Sequence, residues 1–356
     1  MTSLPAHAPP AKQAVPVLGL LLCATAAVAL ASFMLGPVGI GPAQIGQALM
    51  SVIADVPVDP AVETIVLHVR LPRVVLAIAV GAALALSGCA LQGILRNPLA
   101  DPGLIGVTSG AAVGAVATIV FGSLVAGAFP AWLRAYTLPV AAFAGAGLVT
   151  AFVFRVARGE GVTSVATLIL AGVAVNAIAN AAIGALIFVS TDQQLRELTF
   201  WTLGGLGAAG WLEIALALVA IVAACVVLWK LHGALDLLQL GERAAFHAGL
   251  PVESVKRQAA VATALAVGAA TAVAGPIVFI GLVAPHLARL ITGPSHRSVM
   301  PAAAVLGAGL VLAADLLVRT IVPPTEPPIG LATSLIGGPV FLWLLLARSR
   351  REAVRA

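Results

Sequence analysis

A catalytic or metal-binding constellation would have to be assembled from His, Cys, Lys, Asp and Glu, and in this chain those residues are few and scattered. Six His, three Cys and fourteen acids are spread over 356 residues. They form no HExxH, GxSxG, CxxC or CxxCH. Lys12, Lys230 and Lys256 are followed by Gln, Leu and Arg, so the phosphate loop GxxxxGK[ST] is absent as well. Cys23, Cys89 and Cys225 stand singly in apolar stretches and read as buried thiols. The spacings instead offer polar contacts inside an apolar chain. Asp315 and Arg319 lie four apart and can pair on one helix face. Asn176 and Asn180 also lie one turn apart; facing lipid they would be costly, so they belong to a bundle interior or a pore, as helix-to-helix bonds or as substrate contacts.

The elements that must carry these residues follow from composition. Hydrophobic residues make up 61% of the chain and charged residues 9%, against roughly a quarter charged in a soluble domain. Apolar runs of crossing length fall at 15–36, 71–95, 103–127, 137–154, 163–190, 211–229, 300–322 and 329–347. The uncharged stretch between Arg257 and Arg289 is too long for one helix and is interrupted at Gly275-Pro276, which predicts a span at 258–275 and a return leg at 278–292. Ten spans with both termini cytoplasmic leave fourteen Lys and Arg inside and five outside, whereas nine spans leave nine and ten. The positive-inside rule selects ten. The fold class is therefore an all-α integral membrane protein, with 1–356 as a single transmembrane domain. The basic residues form no stripe, which gives nucleic acid no footprint.

Two Pro/Gly-rich breaks, RNPLADPG at 96–103 and APHLARLITGP at 284–294, are candidate turns or gates near the membrane edge. The longest polar segment, 231–257, reads as a short surface helix, a turn at Gly249 and a second helix begun after Pro251. Its apolar Leu237, Leu238, Leu240, Ala244, Ala245 and Phe246 suit docking to a partner. No acid other than Asp315 lies deep in a span, which disfavours a gradient-driven carrier or channel acting alone.

Several stretches together resemble the iron-siderophore, haem and vitamin B12 permease family of ATP-binding-cassette importers. They are RLPR at 70–73, SGCALQGILRNPLADPGLIGVTSGA at 87–111, GPIVFIGLVAPHLARL at 275–290, AADLLVR at 313–319 and EPPIGLATSLIGGPVFLWLLL at 326–346. The resemblance covers about residues 15 to 348. It implies a homodimer in a bacterial inner membrane, a cytoplasmic ATP-binding subunit dimer that holds ATP and Mg, and a periplasmic substrate-binding protein. No cofactor or metal on this chain is implied. Arg70, Arg73 and Arg319 match arginines that meet glutamates of the binding protein; as residues alone, they equally read as snorkelling anchors at span ends. Asn97 and Leu99 match a cytoplasmic gate. Glu242, Ala244, Ala245 and Gly249 in GERAAFHAG match the loop that inserts into the ATPase, with looser spacing than the common pattern. TDQQLRELTFWTLGGLG at 191–207 is most similar to the haem-importing members, which would set Arg196, Phe200 and Trp201 beside the path taken by haem, with iron-siderophore or cobalamin as the alternative cargo.

Overall fold

The computed structural model describes residues 11–54, 56–125, 130–159, 161–321 and 326–353; Arg355, one of the cations in the topology count, lies outside them. In chain order the helices are α1 (Ala11–Met34), α2 (Pro42–Met50), α3 (Pro60–Thr64), α4 (Leu71–Ile94), α5 (Val107–Val125), α6 (Ala131–Arg134), α7 (Thr137–Ala157), α8 (Val165–Phe188), α9 (Asp192–Leu203), α10 (Trp211–Lys230), α11 (His232–Gln239), α12 (Glu242–His247), α13 (Val252–Ala274), α14 (Ile280–Thr292), α15 (His296–Ile321) and α16 (Ile329–Ala353). A two-stranded antiparallel ribbon, β1 (Arg158–Gly159) and β2 (Val162–Thr163), joins α7 to α8.

Each of the ten apolar runs falls on a helix. Seven helices are long and apolar enough to cross a membrane by length and composition, and three shorter apolar ones begin at Val107, Ile280 and Ile329. The break at Gly275-Pro276 ends α13 on Gly275 with φ +66°, and α14 starts five residues on, at Ile280. The second run reaches further back than its hydropathy indicates, because α3 continues through a π-helical stretch (Ile65–Arg70) into α4. The surface helix expected after residue 231 is divided. Gly241 adopts φ +109°, where an L side chain is strained, and separates α11 from α12.

Small residues decide which helices lie at the centre. A Cβ on Gly81 would stand 2.3 Å from the carbonyl oxygen of Gly307, and one on Gly88 would stand 1.7 Å from that of Gly281. α4 therefore runs main chain against main chain along α15 and α14 and is buried on nearly every side. Gly110 and Gly114 bring α5 equally close to Gly145 and Ala141 of α7. The peripheral helices expose large apolar side chains such as Leu148, Val219, Phe188 and Leu335. In lipid that exposure costs nothing.

Candidate translocation path and coupling face

At one end of the bundle, α9 is held in place at both of its termini. Thr191 and Gln194 form a capping box, and Gln194 Nε2 donates to the Val120 carbonyl of α5 at 3.0 Å. At the other terminus, Gly204 turns with φ +73°; Gly205 N–H donates to Ala274 O at 2.8 Å, and Ile329 N–H donates to Gly204 O at 3.1 Å. α9 is thus slung from α5 to the junction of α13 and α16. It lines a cavity of about 500 Å³ into which Arg196, Phe200 and Trp201 all face, together with Arg73 and Glu326. Phe200 is 65% exposed, while Trp201 packs partly on the core.

Beside this cavity the three arginines of the candidate docking set are turned inward. Arg70 donates to the carbonyls of Phe33 and Met34 at the end of α1 and of Val38 in the loop after it. Arg73 Nε donates to Asp315 Oδ1 at 2.8 Å, and its Nη1 donates to Glu326 Oε2 at 2.6 Å. Arg319 Nε stands 3.0 Å from Asp315 Oδ2, and Nη2 donates to Ser32 Oγ at 2.6 Å. All three are buried, and Asp315 is 1% exposed. The pairing anticipated for Asp315 and Arg319 is present, with Arg73 as a third member. The snorkelling arrangement is absent, since these guanidinium groups turn onto main-chain carbonyls and acids instead of reaching water. The cluster ties α1, α4 and α15 together, and its three cations exceed the charge of its two carboxylates by one.

At the opposite end, the turn between α4 and α5 starts at Arg96 with φ +47°. Asn97 Oδ1 accepts from Leu99 N–H at 3.0 Å, closing an Asx turn that holds Leu99 half-buried. Gln92 braces the turn: its Nε2 donates to the carbonyls of Ala100 and Gly281, and its Oε1 accepts from Arg289. Of the two asparagines, Asn176 bonds between helices. Its Nδ2 donates to Gly103 O at 3.2 Å, and its Oδ1 accepts from Ser109 Oγ at 2.6 Å. Gly172, one turn earlier, lies against the Leu104 carbonyl. α8 is therefore fastened directly to the turn that carries Asn97 and Leu99. Asn180 is exposed and makes no hydrogen bond among the described residues.

The same end carries the candidate coupling helices. α11 buries Leu235 and Leu238, and its Asp236 accepts from the His296 main-chain N–H and from Ser295 Oγ. Burial alone would raise the Asp236 carboxyl, but those hydrogen bonds outweigh it and hold the carboxyl below the ordinary carboxylate value. α12 buries Ala245 and presents Ala244 and Phe246 outward, with Leu240 exposed just before it. Gly249 closes α12 at φ +87°, with nothing within 4 Å of where a Cβ would lie. Glu242, at the start of α12, is bound by Lys256 of α13. Lys256 Nζ also donates to Thr163 O of the β-ribbon at 2.9 Å and stands 3.3 Å from Glu253. Glu253 in turn accepts from the Thr163 N–H and hydroxyl.

Sequence reasoning missed Lys256, Gln92, Arg289 and Glu326 as members of these sites. Only Lys256 left a local trace, its i, i+3 spacing from Glu253. The other three find partners from 189 to 253 residues away in the sequence.

Comparisons with known proteins agree with one another. The model of the FecCD transport family matches residues 23–347. The chain is 45% identical over 290 residues to the hemin transport system permease protein of Yersinia pestis, covering 81% of this chain and 84% of that protein. It is 40% identical over 295 residues to the cobalamin import system permease protein of Halobacterium salinarum, covering 83% and 76%. Among solved structures it resembles an inward-facing conformation of a metal-chelate type ABC transporter, with a TM-score of 0.78 and 30% identity over 93% of this chain and 99% of that one.

Proposed function

The chain belongs to the FecCD transport family and is a multi-pass permease subunit of an ABC importer; from that starting point we propose that its cargo is haem. The observation that carries this reading is the cavity of about 500 Å³ in which the exposed ring of Phe200, Trp201 and the cation of Arg196 converge. Flat aromatic faces suit a macrocycle, and Arg196 with the adjoining Arg73 suits carboxylates on its edge. The 45% identity to a hemin permease points the same way. Iron-siderophore or cobalamin is the alternative cargo, in keeping with the similarity to a cobalamin permease.

In this reading ten helices cross the bacterial inner membrane, with both termini and the α11–α12 face in the cytoplasm. Two copies enclose the path, with α8 and its exposed Asn180 toward it. Leu99 and Asn97 close it on the cytoplasmic side. Exposed Leu240, Ala244 and Phe246 seat on a separate ATPase that holds ATP and Mg, and this chain needs no cofactor. A periplasmic protein with acidic lobes delivers cargo to the α9 end, where the cluster of Arg70, Arg73 and Arg319 leaves one excess positive charge to steer it.

The test is uptake into proteoliposomes that contain the permease, its ATPase and its binding protein. Hemin uptake should exceed ferric siderophore and cobalamin uptake, and Phe200→Ala with Trp201→Ala should lower it at least tenfold with assembly intact. Cobalamin uptake above hemin uptake would replace the cargo, and uptake by the permease alone would overturn the ATP-driven mechanism.

A further inference from the structure

A groove between α7 and α13 is lined by none of the residues proposed for the transport path, and its chemistry changes along its length. At membrane depth it is a cavity of about 280 Å³ lined by Phe143, Gly147, Thr150, Ala151, Ala260 and Leu265 among others. Toward the end that carries α11 and α12 it opens into a cavity of about 710 Å³ that shares Ala151, Phe154 and Arg257 with the first and adds Arg155 and Arg158. All three arginines are exposed, and none has an ion pair or side-chain hydrogen bond among the described residues. The carboxylate in this cavity, Glu253, accepts from Thr163 and shares Lys256 with Glu242, so that group carries one net negative charge against the three arginines and leaves the cavity cationic; Glu160 lies outside the described residues.

We propose that this groove is a binding site for an anionic glycerophospholipid, with its phosphate on Arg155, Arg158 and Arg257 and one acyl chain along α7. Length supports the assignment. Phe143 to Arg155 spans about 18 Å at the helical rise, slightly more than the roughly 15 Å of one leaflet's hydrocarbon. Charge supports it too, because basic pockets between membrane helices select acidic headgroups. A third observation is Thr150. It is buried, lines the groove, and its hydroxyl has no partner. It stands about 7 Å along the helix from Arg155, at the depth of the ester groups beneath such a phosphate. A soluble anion would use the arginines but leave the apolar half of the groove empty.

The groove also tells where such a lipid would act. Glu253 and Thr163 line the same cavity as the arginines and belong to the network that holds α12, so an occupied site braces the coupling face.

The test titrates purified full-length chain in detergent with dioleoylphosphatidylglycerol or dioleoylphosphatidylcholine and counts bound lipid by native mass spectrometry. The anionic lipid should bind at least tenfold more tightly. Replacing all three arginines, Arg155→Gln, Arg158→Gln and Arg257→Gln, should abolish that preference. Gly147→Leu should weaken anionic lipid binding about tenfold with the arginines intact, because a Cβ there meets nothing within 4 Å and the side chain fills only the groove. Equal affinity for the two lipids would overturn the proposal, as would indifference to both variants. Displacement of the lipid by millimolar inorganic phosphate would reduce the site to a free-anion site. If the triple variant keeps its lipid but loses the ATPase subunit, the arginines belong to that protein interface and the lipid site is refuted.

Discussion

Lys256 Nζ lies 2.7 Å from Glu242 Oε2, and through that contact a lysine 1% exposed inside the bundle holds the first residue of α12, the candidate coupling helix. The same ammonium holds the ribbon that leads into α8. A displacement of α12 would thus reach α8, the helix proposed to line the path, through one side chain. Lys256→Met should cost about 1 to 3 kcal/mol of stability, because Glu242 is partly exposed and can rehydrate while the Thr163 carbonyl cannot. Transport and substrate-stimulated ATP hydrolysis should become uncoupled in an assembled complex. Tight coupling retained in Lys256→Met would remove this side chain from the transmission.

Gly249 ends α12 with φ +87° and has open space around it. Replacement therefore acts through the backbone alone. Gly249→Val should destabilise the turn by about 1 to 2 kcal/mol and lower coupled transport, whereas Gly249→Asn, tolerant of that conformation, should retain most of it. Equal transport by both variants, measured against the amount of assembled complex, would show that the turn does not set the coupling contact.

Asn97 and Leu99 separate shape from occlusion in the turn between α4 and α5. Asn97→Ala removes the hydrogen bond to Leu99 N–H, a loss of about 1 kcal/mol, and loosens the turn. Leu99→Ala leaves the turn formed but would widen the constriction proposed there, since a narrower apolar ring excludes ions by staying dry. Ion leak through reconstituted permease should rise in Leu99→Ala more than in Asn97→Ala. Wild-type leak in both would make the turn a connector only.

Asp315 is the shared counterion of Arg73 and Arg319. Asp315→Asn leaves buried Arg319 without a carboxylate and Arg73 with Glu326 alone, and should cost about 3 to 5 kcal/mol, read as a fall in unfolding temperature in detergent. Charge reversal of the arginines would break this end of the fold, so a docking role needs a gentler change. Arg73→Lys keeps the charge but loses the fork that holds both acids. If steering is the contribution, binding-protein affinity should stay within about threefold of wild type while stability drops. A collapse of affinity would mean that the guanidinium itself meets the partner.

The ten apolar helices were legible because lipid leaves a long unbroken apolar signature, and charge, Pro or Gly bounds each run. Gly249 was legible because a helix stop needs a residue free to turn left-handed. Gly241, the same device eight residues earlier, was not, since the apolar spacing of 235–246 runs straight through it. The candidate coupling and cavity residues were found by motif. Their supports were not, because Lys256 meets Glu242, Gln92 meets Arg289 and Arg73 meets Glu326 only after the helices have packed. The inward turn of the three arginines was equally hidden: sequence shows that they sit at span ends, while the acceptors that draw them inward are main-chain carbonyls of α1 and the loop after it.

Where two side chains meet across a helix pair, a larger one on one partner can be matched by a smaller one on the other. At Gly81 and Gly88 the opposing group is a carbonyl oxygen, which has nothing left to trim. No second replacement can therefore rescue a first one at these two places. The distances from α4 to α14 and α15 behave as fixed lengths, and accommodation to a cargo of different width must come from the helices on the rim.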